Sequence, residues 1–222
     1  MIASATAQDP NEPFDVVRAD GTPTGQVKAR AAVHRDGDWH RAIHIWVAGR
    51  DERGTSFLTF QRRSPRKDTW PSRLDATVGG HYRAGETLAE TLREVEEELG
   101  EPVMLRELQP LGVRVWANEA ESDIVDREIQ EVFLWRDDRP LAAFAPNPAE
   151  LAALARFPLA DLLPFLSDEA AEVGGESYIP GASRPEPCTA RRNDFIPTID
   201  RYFLRVAIAA RSALRGERYV SI

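Results

Sequence analysis

Residues 79–101 read GGHYRAGETLAETLREVEEELGE, and this stretch decides the fold of the 222-residue chain. Thr87 followed three residues later by Glu90 is a capping box, a pairing that begins helices. Gly100 can adopt the left-handed conformation that commonly ends a helix. The stretch therefore predicts a helix over residues 88–99.

The predicted helix has an apolar side and an acidic side. At about 100° per residue, the acidic side collects five glutamates, and like charges four residues apart destabilise an isolated helix by about 0.2–0.5 kcal/mol per pair. Such a face is either solvated or neutralised by a bound cation. The apolar side carries Leu88, Leu92, Val95 and Leu99, and the acidic side carries Glu90, Glu94, Glu97, Glu98 and Glu101.

Three of these glutamates have the spacing of a metal site. Glu94, Glu97 and Glu98 stand at positions i, i+3 and i+4, which places their carboxylates within about one helical turn. Hard cations such as Mg²⁺ and Mn²⁺ take oxygen ligands. We therefore expect these three side chains to hold Mg²⁺ or Mn²⁺.

The segments around the helix have the patterns of strands. Strands surrounding one strongly periodic helix indicate a mixed α/β sandwich, and the first two of them predict a hairpin at a sheet edge over residues 14–33. The predicted strands are FDVV, QVKARAAV, AIHIWVAG (42–49), FLTFQRR (57–63), DATVGGH (75–81), VMLREL, LGVRVWA and EIQEVFLWR (128–136).

The second half of the chain predicts more helix and less sheet. PAELAALARF (148–157) and LADLLPFL (159–166) predict short helices, and residues 167–192, with three prolines and a GG pair, predict a long loop. Apolar residues at helical spacing over 194–214 predict a C-terminal helix. We therefore expect a disordered tail over 1–13, one domain over 14–166, and a C-terminal loop and helix over 167–222 that pack on it.

Composition excludes several classes of function. A formal charge of −8 with no basic block argues against nucleic-acid binding, and 42% apolar residues suffice for a buried core. The N-terminus lacks the basic and apolar regions of a signal peptide, and nowhere do about 18 apolar residues run together. Cys188 is the single cysteine. We therefore expect a cytoplasmic protein with no membrane partner.

The end of the quoted stretch resembles the Nudix box, whose pattern is G-x5-E-x7-R-E-U-x-E-E-x-G-U, with U apolar. Six residues rather than seven separate Glu86 from Arg93, and Glu101 occupies the last apolar position. The resemblance implies a Nudix-like α/β/α sandwich with a mixed sheet, to which the C-terminal helix is added. The matching residues are Gly80, Glu86, Arg93, Glu94, Val95, Glu97, Glu98 and Gly100.

Outside the box, FDVV, VHRDGDWHRAIHIW and QRRSPRKDTWP resemble one branch of that family, the proteins close to type 1 isopentenyl-diphosphate isomerase. With the box, the resemblance covers residues 14–165. In that isomerase three histidines and two acidic residues hold a divalent metal. Without the resemblance, two of the matching histidines would merely flank a turn. The positions similar to those ligands are His34, His40, His81, Asp126 and Glu128.

One departure from the isomerase pattern concerns its chemistry. The isomerase uses a cysteine just before the third histidine, because a thiol transfers the proton to the alkene. Gly79 stands at that position here, and Cys188 is remote in sequence. The REUxEExG motif is also incomplete in the isomerase branch, whereas it is complete in this chain. Both differences favour hydrolysis over isomerisation.

Four basic residues lie where the related proteins hold a diphosphate. The planar guanidinium of arginine can bind two phosphate oxygens at once, and the ammonium of lysine contributes a compact positive charge. The alternative is a solvated loop. The candidates are Arg62, Arg63, Arg66 and Lys67, of which Arg63 and Lys67 are preferred.

Three further residues border the same region. Gly80 has no side chain, so a ligand can approach its backbone closely. Trp70 and Trp116 are expected to pack in the protein, although either could lie beside a ring of the substrate.

We expect a Mg²⁺- or Mn²⁺-dependent hydrolase that cleaves a diphosphate bonded to another group, X. The expected catalytic residues are Glu97, Glu94 and Arg93, with Arg93 bracing the glutamates by ion pairing. Glu97 or a loop acid would accept the proton of the attacking water. The loop alternatives are Glu119 and Glu121.

Two other functions stay open at this point. The first is an isomerase of isopentenyl diphosphate, and the second is a module that binds a metal diphosphate without cleaving it. In each case the expected partner is a small-molecule diphosphate. A homodimer could form through the edge hairpin over residues 14–33.

Overall fold

The computed structural model describes residues 9–118 and 125–222. Eleven strands of these residues form one sheet, with α-helices on both of its faces. The strands are β1 (Pro13–Val17), β2 (Pro23–Ala29), β3 (Trp39–Arg50), β4 (Ser56–Arg63), β5 (Leu74–Asp75), β6 (Val78–His81), β7 (Leu108–Asn118), β8 (Asp126–Arg136), β9 (Leu151–Pro158), β10 (Glu172–Tyr178) and β11 (Glu186–Arg191). The helices are α1 (Arg30–Asp36), α2 (Leu88–Thr91), α3 (Arg93–Leu99), α4 (Leu159–Leu166) and α5 (Tyr202–Leu214).

Strand β3 is the centre of the sheet. It pairs antiparallel with β1, β4 and β6 and parallel with β8, over a register that runs from Trp39 opposite Arg127 to Ala48 opposite Arg136. Both of its faces are covered, which explains why residues 42–49 are almost wholly apolar. The predicted mixed α/β sandwich with an added C-terminal helix is therefore confirmed.

The two faces of β3 belong to two separate cores. Trp46 points to a core that includes Phe60 and residues of α4 and α5. Ile45 points to the opposite core, which includes Val95 and Leu99 of α3. The glutamate helix and the C-terminal helix therefore lie on opposite faces of the sheet.

Several predictions of secondary structure were wrong. The stretch VMLREL is not a strand, because Leu105–Glu107 form a 3₁₀ helix and β7 begins only at Leu108. Residues 148–157 do not form a helix, because β9 pairs with β4 and β10 and sheet pairing overrides the helix propensity of alanine and leucine. Residues 167–192 are not a continuous loop but include the hairpin of β10 and β11. The stretch QVKARAAV is a strand only as far as Ala29, after which α1 begins.

The N-terminal segment departs in part from the expected disordered tail. Residues 1–8 lie outside the described residues. Glu12 is held in place, because its carbonyl accepts a hydrogen bond from Arg30 N at 2.8 Å and its carboxylate accepts one from Arg83 Nε at 2.6 Å. The following hairpin of β1 and β2 ends the sheet on one side. Its pairing between two subunits stays a prediction.

Within the described residues, the chain forms no helix with the length and apolar character needed to cross a membrane.

Candidate active site

The quoted stretch forms the helix that its caps predict, with one break. Thr87 Oγ1 accepts from Glu90 N at 3.4 Å, and Glu90 Oε2 accepts from Thr87 N at 2.8 Å. The helix is interrupted at Leu92 and ends at Gly100, whose φ is 71°. Glu90 is therefore a capping residue, and it does not line the cavity described below.

Arg93 holds three carboxylates together. Its Nε and Nη2 contact the two oxygens of Glu86 at 2.7 and 3.1 Å. Its Nη1 lies 2.6 Å from Glu94 Oε1 and 3.1 Å from Glu97 Oε2. A fifth contact at 3.2 Å reaches the carbonyl oxygen of His81, so the guanidinium also ties α3 to the end of β6. Both carboxylate oxygens of Glu86 are therefore bonded to Arg93.

The three expected metal ligands of α3 have different surroundings. Glu97 is half exposed and lies between Arg93 and Arg83. Glu94 packs over Gly80, and burial raises its pKa to about 7. Glu98 is buried behind β6, where its Oε2 accepts from Gln61 Nε2 at 3.0 Å and from Gly79 N at 3.3 Å, and burial raises its pKa to about 8. Their oxygens do not all lie within 4.8 Å of one another.

A second cluster joins the histidines and acids that resemble the isomerase ligands. In it, His40 faces Glu128 across the parallel pairing of β3 and β8, and His81 ends β6. Among the described residues, two overlapping groups have ligand atoms within 4.8 Å of one another: His34, His40 and His81; and His40, Asp126 and Glu128.

Several ligand atoms of this cluster have no hydrogen-bond partner among the described residues. They are His34 Nε2, His40 Nε2 and Asp126 Oδ1, and all three are buried. Asp126 Oδ1 lies 3.9 Å from His34 Nε2 and 3.7 Å from His40 Nε2. Buried polar atoms are costly unless they are paired, so three of them facing one another fit a bound cation.

The protonation of the cluster agrees with this interpretation. His40 Nδ1 lies 3.1 Å from the carbonyl oxygen of Asp38 and so donates to it, which leaves a lone pair on Nε2. Burial lowers the pKa of His34 to about 3 and also lowers the pKa of His40. Burial, with the charge of Glu128, raises the pKa of Asp126 well above its ordinary value.

His81 differs from the other two histidines. Its Nδ1 lies 3.1 Å from Arg30 Nη1, which can only donate, so Nδ1 accepts. The proton is then on Nε2, which donates to Glu128 Oε1 at 2.8 Å. For Nε2 to bind a cation, the ring proton would have to move to Nδ1, which would break the bond from Arg30.

Both clusters open on one cavity of about 340 Å³. It is lined by Glu94 and Glu97 of α3 and by Gly79 and Gly80, whose missing side chains leave room. It is also lined by Trp70, Trp116, Ile196, Thr198, Tyr202 and Phe203. The tryptophans that were expected to pack therefore also border the cavity.

The four predicted phosphate binders divide into two pairs. Arg63 and Lys67 line the cavity, whereas Arg62 and Arg66 do not. Arg63 contacts Asp75 at 3.3 Å, and Lys67 Nζ contacts Glu150 Oε2 at 2.5 Å.

The sequence did not reveal several other polar residues of the cavity, and four of them are Arg30, His44, Arg83 and Arg114. Arg83 follows the glycines of the quoted stretch, which is a usable signal. The other three reach the cavity through sheet register and the packing of α1 and α5. The proposed base alternatives Glu119 and Glu121 lie outside the described residues, and Cys188 does not line the cavity.

Comparison with known proteins gives a family. The family model described as the NUDIX domain matches residues 38–176. A Nudix hydrolase of Clostridium acetobutylicum, itself uncharacterised, is 30% identical over 173 residues, which are 77% of this chain and 83% of that protein. Nudix hydrolase 3 of Arabidopsis thaliana is 37% identical over 164 residues, which are 71% of this chain but 21% of that protein, so the chain spans about a fifth of its length.

Two further comparisons bear on the branch and the fold. An isopentenyl-diphosphate Delta-isomerase of Burkholderia multivorans is 30% identical over 158 residues, which are 69% of this chain and 82% of that enzyme. A crystal structure of a Deinococcus radiodurans protein is similar with a TM-score of 0.52 at 25% identity, covering 71% of this chain and 90% of that one.

Proposed function

Because this chain belongs to the Nudix family of hydrolases, which cleave phosphoric anhydrides, we propose that it is a Mg²⁺- or Mn²⁺-dependent enzyme that hydrolyses a diphosphate bonded to a group X. The small-molecule diphosphate would bind in the 340 Å³ cavity. X is a nucleoside or another organic group.

The charge of the cavity is the observation that carries this proposal. Eight acidic and five basic side chains of the described residues line it. An anionic diphosphate would be repelled by this excess of negative charge unless cations bridge the two. The acids are Asp9, Glu12, Asp75, Glu94, Glu97, Asp126, Glu128 and Glu150, and the bases are Arg30, Arg63, Lys67, Arg83 and Arg114.

We propose that Glu94, Glu97 and Glu98 hold the catalytic cation. A bound divalent cation would neutralise the diphosphate and lower the pKa of a water molecule. The role of Arg93 would be to orient the glutamates, since one of its nitrogens contacts both Glu94 and Glu97. Glu98 would have to turn from Gln61 and Gly79, with which it now bonds.

The cluster of His34, His40, Asp126 and Glu128 is proposed as a second cation site, which His81 would join if its ring proton moved from Nε2 to Nδ1. Its unpaired buried atoms support this assignment. Imidazole nitrogens suit Mn²⁺ better than Mg²⁺, whereas the glutamates suit either ion.

Substrate binding is assigned to the cavity-facing pair of basic residues. Arg63 and Lys67 would contact diphosphate oxygens, although each is now paired with an acid. Gly80 would allow the diphosphate to approach β6 closely. Arg62 and Arg66 are poorer candidates, because neither lines the cavity.

Glu97 is the proposed general base. It lines the cavity and is half exposed, so a water molecule can reach its carboxylate. Replacing Glu97→Gln keeps the side-chain volume but removes the basic oxygen. We expect kcat for metal-dependent phosphate release to fall by about 10²–10⁴-fold, with an unchanged circular dichroism spectrum.

The matched control is Glu96→Gln. Glu96 is the adjacent glutamate of α3, is exposed, and does not line the cavity. This variant should keep the wild-type rate. Equal rates for wild type and Glu97→Gln would remove Glu97 from the catalytic assignment.

The substrate test is a panel of nucleoside diphosphates, nucleotide sugars, dinucleotides, thiamine diphosphate and prenyl diphosphates, each assayed for phosphate release with and without Mg²⁺ or Mn²⁺. If every compound binds but none is cleaved, the protein is a diphosphate-binding module instead. A cytoplasmic setting is proposed as well, because Cys188 is a free thiol without a second cysteine in the chain.

Isomerisation of isopentenyl diphosphate is the second candidate, favoured by the similarity to the Burkholderia multivorans isomerase. Gly79 argues against it, because no thiol stands beside His81 to move the proton. Incubation with isopentenyl diphosphate and Mg²⁺ should give no allylic isomer by NMR. Formation of that isomer would replace hydrolysis as the assignment.

A further inference from the structure

His44 is a buried histidine within the apolar run of residues 42–49 in β3, and its two nitrogens face different surroundings. Nδ1 lies 3.0 Å from the hydroxyl of Tyr202, which is on the C-terminal helix α5. Nε2 makes no hydrogen bond within residues 9–118 and 125–222 and lies on the side of Gly79, where an added Cβ would be 3.6 Å away. His44 also lines the active-site cavity.

The partners of Tyr202 determine which nitrogen of His44 carries the proton. Trp46 Nε1 can only donate, and it donates to the Tyr202 oxygen at 2.9 Å. The hydroxyl proton of this fully buried tyrosine then has His44 Nδ1 as its acceptor. The opposite tautomer would leave that buried proton without a partner, which is unfavourable.

The charge state agrees with this tautomer. Burial lowers the pKa of His44, so the ring is neutral near pH 7. With Nδ1 accepting, the single ring proton is on Nε2. The imidazole therefore presents an N–H donor on the cavity side, next to a glycine that leaves space for a ligand.

We infer that His44 is a substrate-binding residue whose Nε2–H donates a hydrogen bond to an acceptor oxygen or nitrogen of X, and that Tyr202 is the positioning residue that holds this tautomer. The inference rests on the proposed diphosphate substrate. It assigns X to the part of the cavity beside α5, because His44 contacts Tyr202 of α5 whereas α3 lies on the other face of the sheet.

The inference also gives the C-terminal segment a role in the site. The family match ends at residue 176, and Ile196, Thr198, Tyr202 and Phe203 all lie beyond it. These residues line the same cavity as His44, and three of the four are apolar or aromatic. X is therefore a group with an apolar surface and at least one hydrogen-bond acceptor.

One arm of the test needs no substrate. In protein labelled with ¹⁵N-histidine, long-range ¹H–¹⁵N spectra report the tautomer of each of the four histidines, and the His44→Gln spectrum assigns His44. We expect the neutral Nε2–H form in wild type and a mixture of tautomers in Tyr202→Phe. The control Tyr178→Phe loses a hydroxyl from the opposite core and should leave the His44 signals unchanged. An Nδ1–H form in wild type would overturn the inference.

The other arm compares two probes. ADP carries acceptors on X, whereas X in dimethylallyl diphosphate is a hydrocarbon. With Mg²⁺ present, ADP should shift the His44 Nε2–H resonance and dimethylallyl diphosphate should not. His44→Leu should lower kcat/KM for ADP about 10-fold and leave that for dimethylallyl diphosphate unchanged, whereas His44→Gln, which keeps a donor, should restore most of the rate.

These readouts separate the inference from the proposed function. An equal loss with both probes in His44→Leu means that His44 only supports the core, and the inference fails while hydrolysis stands. If wild type cleaves neither probe, the proposed function fails for these compounds, and the resonance shift still decides the role of His44. A resonance that ADP and thiamine diphosphate both leave unmoved overturns the inference.

Discussion

Gly80 and Glu94 occupy adjoining space, such that a Cβ on Gly80 would lie 2.3 Å from Cγ and Cδ of Glu94. Only glycine lets the glutamate lie against β6. We predict that Gly80→Ala displaces the Glu94 carboxylate, weakens binding of the catalytic cation and lowers kcat/KM at least 10-fold. Isothermal titration with Mn²⁺ and initial-rate kinetics measure these effects.

The matched control for this prediction is Gly174→Ala. Gly174 is an exposed glycine of β10, and an added Cβ would meet no atom within 4 Å. This variant should behave as wild type. If Gly80→Ala keeps wild-type metal affinity and rate, the position of Glu94 against β6 has no part in catalysis.

The contacts of Arg93 with three glutamates lead to a second prediction. Arg93→Lys retains the charge but cannot reach Glu86, Glu94 and Glu97 at once, because an ammonium lacks the planar fork. We expect kcat to fall about 10²-fold and the metal concentration for half-maximal rate to rise. Arg136→Lys, at an exposed position that ends β8, is the control. Wild-type kinetics in Arg93→Lys would contradict the bracing role.

A third prediction concerns the stoichiometry of bound metal. Wild type should bind two Mn²⁺ per chain, and Asp126→Asn should bind one at the same free concentration, because an amide is a weaker ligand than a carboxylate. Equilibrium dialysis with elemental analysis gives the count. Asp36→Asn, an exposed acid on the helix that carries His34, should still bind two. Two ions in Asp126→Asn would remove the second site.

The buried glutamates predict how stability depends on pH in the metal-free protein. Burial raises the pKa of Glu94 to about 7 and that of Glu98 to about 8, both above the ordinary value of 4.5. The folded state then binds more protons than the unfolded state, so this contribution to stability is complete below 4.5 and is lost as pH rises through 7 to 8. The buried histidines act in the opposite sense, but only below their ordinary pKa of 6.5.

The window for the measurement therefore lies above pH 6.5. We expect the metal-free Tm, measured by calorimetry, to fall between pH 6.5 and about 8.5 and to fall less steeply in Glu98→Gln, which stays neutral. Saturating Mn²⁺ should reduce the slope in wild type. A Tm that rises across this window would show that Glu94 and Glu98 are ionised in the folded protein.

Local patterns predicted the elements that carry the proposed chemistry. The capping box and Gly100 located the glutamate helix, and the continuous apolar run of 42–49 located β3. These signals come from residues that are close together along the chain, so they can be recognised in a single sequence. The strand β9 was missed because its alanines and leucines favour a helix when considered alone, and only its pairing with β4 makes it a strand.

The candidate site was likewise predictable only where local spacing or the family resemblance indicated a residue. The carboxylates of α3 follow from spacing, and the histidine and acid cluster was found through resemblance. By contrast, Arg30 and His44 reach the cavity only through the packing of α1 and α5, which no local pattern encodes. The sequence also suggested one shared acidic face, whereas Glu90 caps the helix and Glu98 is buried.

The helix α5 lies beyond the matched family region yet supplies Tyr202 and Phe203 to the cavity. Under the proposed function, the catalytic glutamates lie within the matched region, whereas part of the surface proposed to contact X lies beyond it. We therefore expect divergence after residue 176 to alter the choice of X without changing the reaction. Grafting this terminus between relatives is accordingly a direct route to altered substrate range.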